Sequence, residues 1–376
     1  METWTRKAAF APAFMTVIFC ISMNVNNVHA TDQAGLDEGL EAIISGAVAG
    51  SPPLAGLQVA VVRGGEVAYE FAGGFARRGA QGEVPLNTGH RVRVASISKL
   101  VVAIGLMQLV EAGKVDLDAD VSDYLGFTLR NPNFPDDAIT LRMVLSHTSS
   151  IRDGAYYWLE SSNQFEDFFL AGREHYDEGA HFASGEGRQP GRYFSYSNLN
   201  FGIVAAVIER VCGMRFDKYM RQNVLQPLGL PARYNVCDLS FSQPDHVAAL
   251  WRKRDSDEIW QPEQDWVPQL DEGAVSCHYG REPVALGEDP GEILPGYVPG
   301  ENPTLFSPQG GLRASARDLS VIARMLMTGG RYAGVQILSQ ESVSQMLKAE
   351  WRFDPALGNG DTSEAPDPDE AEPDRL

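Results

Sequence analysis

The 376-residue sequence predicts an α/β fold, and three observations carry that reading. Two β-rich runs, Leu57 to Val62 and Glu66 to Phe71, are separated by Arg63-Gly64-Gly65, the spacing and turn chemistry of a hairpin. From Ser96 the pattern changes to a helix apolar on nearly every side, through Leu100, Val101, Val102, Ile104, Leu106, Met107, Leu109 and Val110, with Gly113 as its stop. A helix without a polar face belongs at the centre of a fold. Further helices with start signals recur downstream. Thr140 caps a short one ending near His147, and Leu199 to Val211 carries Ile203, Val204, Val207, Ile208 and Val211 on one side. Ser315 and Asp318 make a capping box for a helix running to about Met327, and Ser339 opens one more through Leu347.

Charge and composition bound the function classes. Lys and Arg number 31 against 50 Asp and Glu, a formal net charge of −19. That excludes an electrostatic nucleic-acid binder, which needs a basic face to displace counterions from phosphates. A content of 44% hydrophobic and 22% charged residues is that of an ordinary globular protein, and the length allows about two domains at roughly 150 residues each. Arg6 and Lys7 precede an apolar run, and Val28-His29-Ala30 offers small residues at the −3 and −1 positions of a cleavage site. Residues 1–30 are therefore expected to be a secretory signal peptide cleaved after Ala30, giving a secreted or periplasmic protein with no stable membrane span.

Export sets an oxidising context. Cys212 lies on an apolar helix face and is expected as a buried free thiol, whereas Cys237 and Cys277 flank a loop-rich stretch and are the better disulfide pair. Between Asp238 and Leu305 the chain is studded with Pro, Gly and Trp and has no sustained periodicity, so an irregular rim is expected over 238–305. From Asp354 onward eight acids face only Arg375, with prolines between them, which predicts a disordered tail over 354–376.

Two short motifs concentrate the chemistry. In Ser96-Ile97-Ser98-Lys99 the lysine lies one helical turn from the serine, on the same face. A serine hydroxyl is a weak nucleophile at neutral pH, and a lysine whose pKa is lowered by burial and a helix N-terminus can accept its proton. In Tyr196-Ser197-Asn198, leading into the Leu199 helix, a tyrosine hydroxyl near a cation can shuttle protons and an Asn amide can hold a substrate carbonyl and a lysine together. Taken singly, each has a plainer reading: a capping serine beside a snorkelling lysine, and a polar helix N-cap.

Together and in this order the motifs resemble the serine β-lactamase-related family, which includes class C β-lactamases, D-alanyl-D-alanine carboxypeptidases and related esterases. Further blocks carry the likeness across roughly residues 38 to 350: Arg93 to Lys99, Leu117 to Leu125, Ile139 to Ser149, Tyr193 to Gly202, Pro308 to Leu312 and Ala316 to Leu319. The resemblance implies an antiparallel sheet flanked by helices, with a mostly helical domain inserted over about 115–235 of a 31–353 body and the site between them. It implies Ser96 as the acylated nucleophile, Lys99 as its base partner, Tyr196 as a second proton-transfer group and Asn198 as a substrate-orienting amide. The substrate would be a small molecule or peptidoglycan-type compound, a β-lactam, D-amino-acid peptide or ester, with no metal or organic cofactor.

Two departures bear on that expectation. Ser150 stands where the family usually has Gly after His-Thr-Ser, a local turn difference. The family's third motif, Lys-Thr-Gly or His-x-Gly on a strand after the Gly-Gly-Leu block, has no counterpart between Trp351 and Leu376, and His278-Tyr279-Gly280 precedes that block. That strand supplies an oxyanion-hole N–H, whose loss costs on the order of a hundred- to a thousandfold in rate. The C-terminal strands are thus expected to be missing, and a weakly active relic that binds acyl donors is the alternative. Glu174, His175, Asp177, Glu178 and His181 lack the spacing of a helical metal site and read as a solvated acidic loop. His147 is expected to pack and hydrogen-bond rather than serve as a triad base.

Overall fold

The computed structural model describes residues 30–79, 82–155, 157–159, 163–234, 247–253, 265–269, 276–279, 282–285 and 297–361. The leader expected over 1–30 lies outside them except for Ala30, as do Cys237 and the side chain of Cys277, and so does the tail beyond Asp361.

Helix α1 (Ala30–Ser45) precedes the hairpin and packs on its second strand, with the Tyr69 hydroxyl bonded to Asp37. Strands β1 (Gly56–Arg63) and β2 (Glu66–Gly79) pair antiparallel with Arg63 opposite Glu66. Gly64 and Gly65 turn the chain at φ of 59° and 83°, the left-handed conformation that a two-residue hairpin turn requires. β2 runs well past the predicted Phe71 and pairs with β3 (Gly82–Pro85), giving an antiparallel sheet of order β1-β2-β3. After β4 (Val92–Arg93), a helical turn at Ala95–Ile97 leads into α2 (Ser98–Glu111).

Four helices follow: α3 (Ser122–Leu125), α4 (Leu141–Leu145), α5 (Leu199–Cys212) and α6 (Phe216–Met220), with β5 (Phe194–Ser195) ahead of α5. The Thr140 hydroxyl accepts from Met143 N at 3.3 Å, the expected cap of α4. Helices α2 and α5 pack against each other, and Val101, Val102, Ile104, Ile203, Val204 and Val207 are entirely buried, each contributing about 1.5–3 kcal/mol by leaving water. This is the core that fixes the two motifs, because both begin at the N-termini of these two helices.

The segment expected as irregular instead holds two antiparallel strand pairs among its described residues, β6 (Leu250–Arg252) with β7 (Val267–Gln269) and β8 (Ser276–Tyr279) with β9 (Glu282–Ala285). Strands of three or four residues are too short to show a period of two against Pro and Gly. The chain then runs through β10 (Arg313–Ala314), which pairs with β4, to α7 (Ala316–Met327), β11 (Arg331–Tyr332), β12 (Val335–Gln336), α8 (Gln340–Met346) and β13 (Gly360–Asp361). The Ser315/Asp318 capping box forms as expected, and α7 covers β1 and β2, so helices flank the sheet. Ser339 caps α8 by accepting from Ser342 N.

The start of the expected disordered tail is corrected. Residues 354–361 fold back, and β13 pairs in parallel with β5. Composition hid the anchor: Trp351 stacks on Phe194 at 4.6 Å between ring centres and donates through Nε1 to Asn359 O, while Phe194 N also donates to Asn359 O at 3.0 Å. Among the described residues no helix is long and apolar enough to cross a membrane, and Cys212 is a free thiol, half-buried rather than buried.

Candidate active site

Ser96 is presented by a strained turn. Ala95 takes φ of 47°, a left-handed conformation that costs a non-glycine residue about 1–3 kcal/mol and that gathers at functional sites. The turn is pinned from behind: Val94 N donates to Leu312 O at 2.9 Å, Leu312 N to Ser98 Oγ at 3.0 Å, and the Tyr234 hydroxyl to Ser98 O at 2.9 Å. Gly311 is required here, since a Cβ would meet Ser307 O at 2.7 Å. The Ser96 hydroxyl is consequently exposed while Ser98 and Lys99, the latter at 6% exposure, are buried beneath it. The Ser96 N–H belongs to the first helical turn, whose amides have no intrahelical acceptor.

The four residues named by the two motifs converge. Lys99 Nζ lies 3.0 Å from Ser96 Oγ, 2.9 Å from Asn198 Oδ1 and 2.8 Å from Gln309 O. Ser96 Oγ also lies 2.6 Å from Tyr196 Oη. Asn198 Oδ1 and Gln309 O are amide carbonyl oxygens, which only accept, so each takes an N–H bond from the lysine. Toward Ser96 Oγ an ammonium donates, whereas a neutral amine can present its lone pair. The lysine also sits over the Tyr196 ring at 4.8 Å and the Phe201 ring at 5.6 Å, aromatic faces that offset part of the cost of burying its charge.

His147 serves the arrangement by packing, as expected. Its ring stacks on Tyr196 at 4.6 Å, and its Nδ1 accepts from Ser197 N at 3.1 Å, with the Asn200 amide 3.2 Å away. Burial, followed by the charge of Lys99, pushes its pKa down to about 3, so the imidazole is neutral at physiological pH. Ser150 takes φ of 62°, the conformation that favours glycine, and its hydroxyl accepts from Asn131 Nδ2 at 3.1 Å. A serine thus stands in the left-handed region here, bonded by a buried amide.

Three partners were not visible in the sequence. The Gln309 contribution is a main-chain carbonyl, which no side-chain pattern reveals. Phe201 sits one turn into α5 and reads as core. Asp153 accepts from Ser197 Oγ and Leu199 N at 2.9 Å through Oδ1 and from Asn198 Nδ2 at 2.8 Å through Oδ2. It is an isolated acid in a loop, with no spacing signal.

A beta-lactamase family model matches residues 40–368. The chain belongs to the beta-lactamase family. It is similar to a penicillin-binding protein of Bacillus subtilis strain 168, 26% identical over 191 residues that cover 50% of this chain and 40% of that protein. It is similar also to the esterase EstB of Burkholderia gladioli, 29% identical over 255 residues covering 62% of this chain and 61% of the esterase. The chain therefore spans less than two thirds of the length of these curated relatives. Among solved structures, a penicillin-binding protein homologue from Pyrococcus abyssi, described as octameric, aligns with a TM-score of 0.60 at 19% identity, covering 85% of this chain and 61% of its own. EstCE1, described as a hydrolase with promiscuous acyltransferase activity, aligns with a TM-score of 0.59 at 22% identity over 85% and 79%. These structural likenesses establish the beta-lactamase fold for the chain.

Proposed function

We propose that this beta-lactamase-family chain is an exported serine hydrolase acting through a covalent acyl-enzyme on an amide or ester carbonyl of a small-molecule or peptidoglycan-type substrate. The observation that carries the reading is Ser96 Oγ held at 3.0 Å from Lys99 Nζ and 2.6 Å from Tyr196 Oη, exposed above a buried lysine. Ser96 Oγ attacks the carbonyl carbon as its proton passes to the Lys99 amine, directly or through Tyr196. The oxygen that becomes negative is met by the Ser96 N–H. Collapse breaks the bond to the leaving amine or alcohol, which receives the proton held by Lys99, passed on through Tyr196, and the acyl group stays on Ser96. Water then attacks the ester as its proton passes to the same pair, and that proton returns to Ser96 Oγ as the bond to the acyl group breaks and the acid leaves. Asn198, whose amide carries two N–H bonds and gives one to Asp153, has a second to offer the substrate.

The test is turnover of nitrocefin and p-nitrophenyl butyrate by the wild type against Ser96→Ala. Hydrolysis of either well above the variant's background supports the reading, and identical background rates from two folded proteins reject it. Export rests on the basic and then apolar N-terminal run and the small residues before Thr31. Sequencing the N-terminus of the expressed protein tests it, with Thr31 expected first.

A further inference from the structure

We infer that Asp153 is a positioning residue that fixes the orientation of the Asn198 amide, and through it the Lys99 amine, for attack by Ser96. This rests on the acyl-enzyme reading above. An Asn side chain presents a carbonyl on one side and an NH2 on the other, and a half-turn exchanges them. Only the carbonyl can accept from Lys99 Nζ, 2.9 Å away. Asp153 Oδ2 decides which side faces the lysine. An ionised carboxylate only accepts, so it takes Asn198 Nδ2 at 2.8 Å and sends Oδ1 toward Lys99. The turned amide would place oxygen against carboxylate and N–H against the lysine's N–H groups. Both contacts would then be repulsive.

The carboxylate is itself held. Its other oxygen takes Ser197 Oγ and Leu199 N, each at 2.9 Å, so three successive residues at the start of α5 bond to one side chain. Asn198 makes no side-chain cap of its own, and a negative group is favoured at this positive helix end. Behind Asp153, Arg152 N donates to His181 O at 2.8 Å and Ile151 bridges to Phe182. Gly154, at φ of 61°, lies against the His181 ring so closely that a Cβ would fall 2.7 Å from it. Ser149 Oγ donates to Asn200 Oδ1 at 2.8 Å, which ties the same loop to α5 a second time. Lysine placement is therefore set from a loop that touches neither Ser96 nor Lys99 through any of these bonds.

A helix cap alone would explain the contacts to Ser197 and Leu199, and Asp153→Asn separates the two roles. One oxygen remains to cap α5, while the new NH2 meets Asn198 Nδ2 and drives its amide to turn. The expected result is a Lys99 Nζ to Asn198 distance above 3.5 Å in a crystal structure of the variant, with kcat for p-nitrophenyl butyrate down at least tenfold and KM within threefold. In the double variant with Asn198→Ala, the fall in kcat should match that of Asn198→Ala alone, because both changes cut one connection. A Lys99–Asn198 bond retained at its present length, or falls in kcat that multiply in the double variant, would overturn the inference. The crystallographic result decides the matter even if the wild type hydrolyses nothing, so failure of the acyl-enzyme reading stays distinguishable. Should Asp153→Asn not fold, Asp153→Ser, which keeps one oxygen and loses the second, carries the same readouts.

Discussion

Replacing Lys99 by Arg tests whether the buried cation acts as a base or only as a charge. The lysine donates to Asn198 Oδ1 at 2.9 Å and Gln309 O at 2.8 Å, and it lies 3.0 Å from Ser96 Oγ. A guanidinium keeps the charge and can reach carbonyl acceptors, yet it cannot give up a proton at any working pH and offers no lone pair to the serine. If Lys99 accepts the serine proton, Lys99→Arg forfeits general-base catalysis. That is worth roughly 10²- to 10⁴-fold, or about 3–5 kcal/mol of barrier. Lys99→Met removes the charge as well and takes this donor from the buried Gln309 carbonyl and the half-buried Asn198 carbonyl, at about 1–3 kcal/mol for the buried one. It should therefore match the arginine variant in rate while melting at a lower temperature. The assay is kcat/KM for p-nitrophenyl butyrate, with Ser96→Ala as baseline and circular dichroism melts as the check on folding. Retention of activity within tenfold of wild type by Lys99→Arg would refute the assignment of Lys99 as base.

Two further outcomes follow from the same geometry. Tyr196→Phe removes the hydroxyl 2.6 Å from Ser96 Oγ but keeps the ring stacked on His147 and beneath Lys99, so kcat should fall by on the order of a hundredfold while stability changes by only about 1 kcal/mol. A rate unchanged in steady-state assays would remove tyrosine from the proton path. Glu209 is fully buried on α5 and bonded by Tyr297 Oη at 2.7 Å and Phe216 N at 2.7 Å. Burial pushes its pKa up from 4.5 to about 7. The folded protein then holds a proton that the unfolded chain has lost between those values, so this contribution is full below pH 4.5 and is lost as pH rises through 7. The raised pKa corresponds to about 3 kcal/mol at most. Melts from pH 5 to 8.5 should show the wild type losing stability relative to Glu209→Gln, and parallel curves would contradict this.

Local signals made the motifs legible where they act within one helix turn. Ser96 and Lys99 share a face because they are three residues apart where the helical turn Ala95–Ile97 runs into α2, and Thr140, Ser315 and Ser339 cap the helices they precede. Long-range partners left no trace of that kind. Lys99 and the Gln309 carbonyl are 210 residues apart, and Asp153 and Asn198 are 45 apart, so chain folding rather than pattern brings them together. The fold-back of 354–361 was hidden for another reason. Acid and proline content dominates 354–376 as a whole, while the placement of 354–361 rests on Trp351 stacking against Phe194 and on Asn359, whose Nδ2 donates to Arg352 O at 3.1 Å. β2 outran its expected end because Gly73, Gly74, Arg77 and Arg78 break the alternation there although the backbone continues to pair.

The covalent intermediate is the central claim, and trapping it is the most direct measurement. Wild type and Ser96→Ala would be incubated with a fluorophosphonate and with a fluorescent penicillin, then read by intact mass and peptide mapping. A stoichiometric adduct confined to Ser96 in the wild type, and absent from the variant, is the expected result. Equal labelling of Ser96→Ala, or an adduct mapped to another residue, would contradict it.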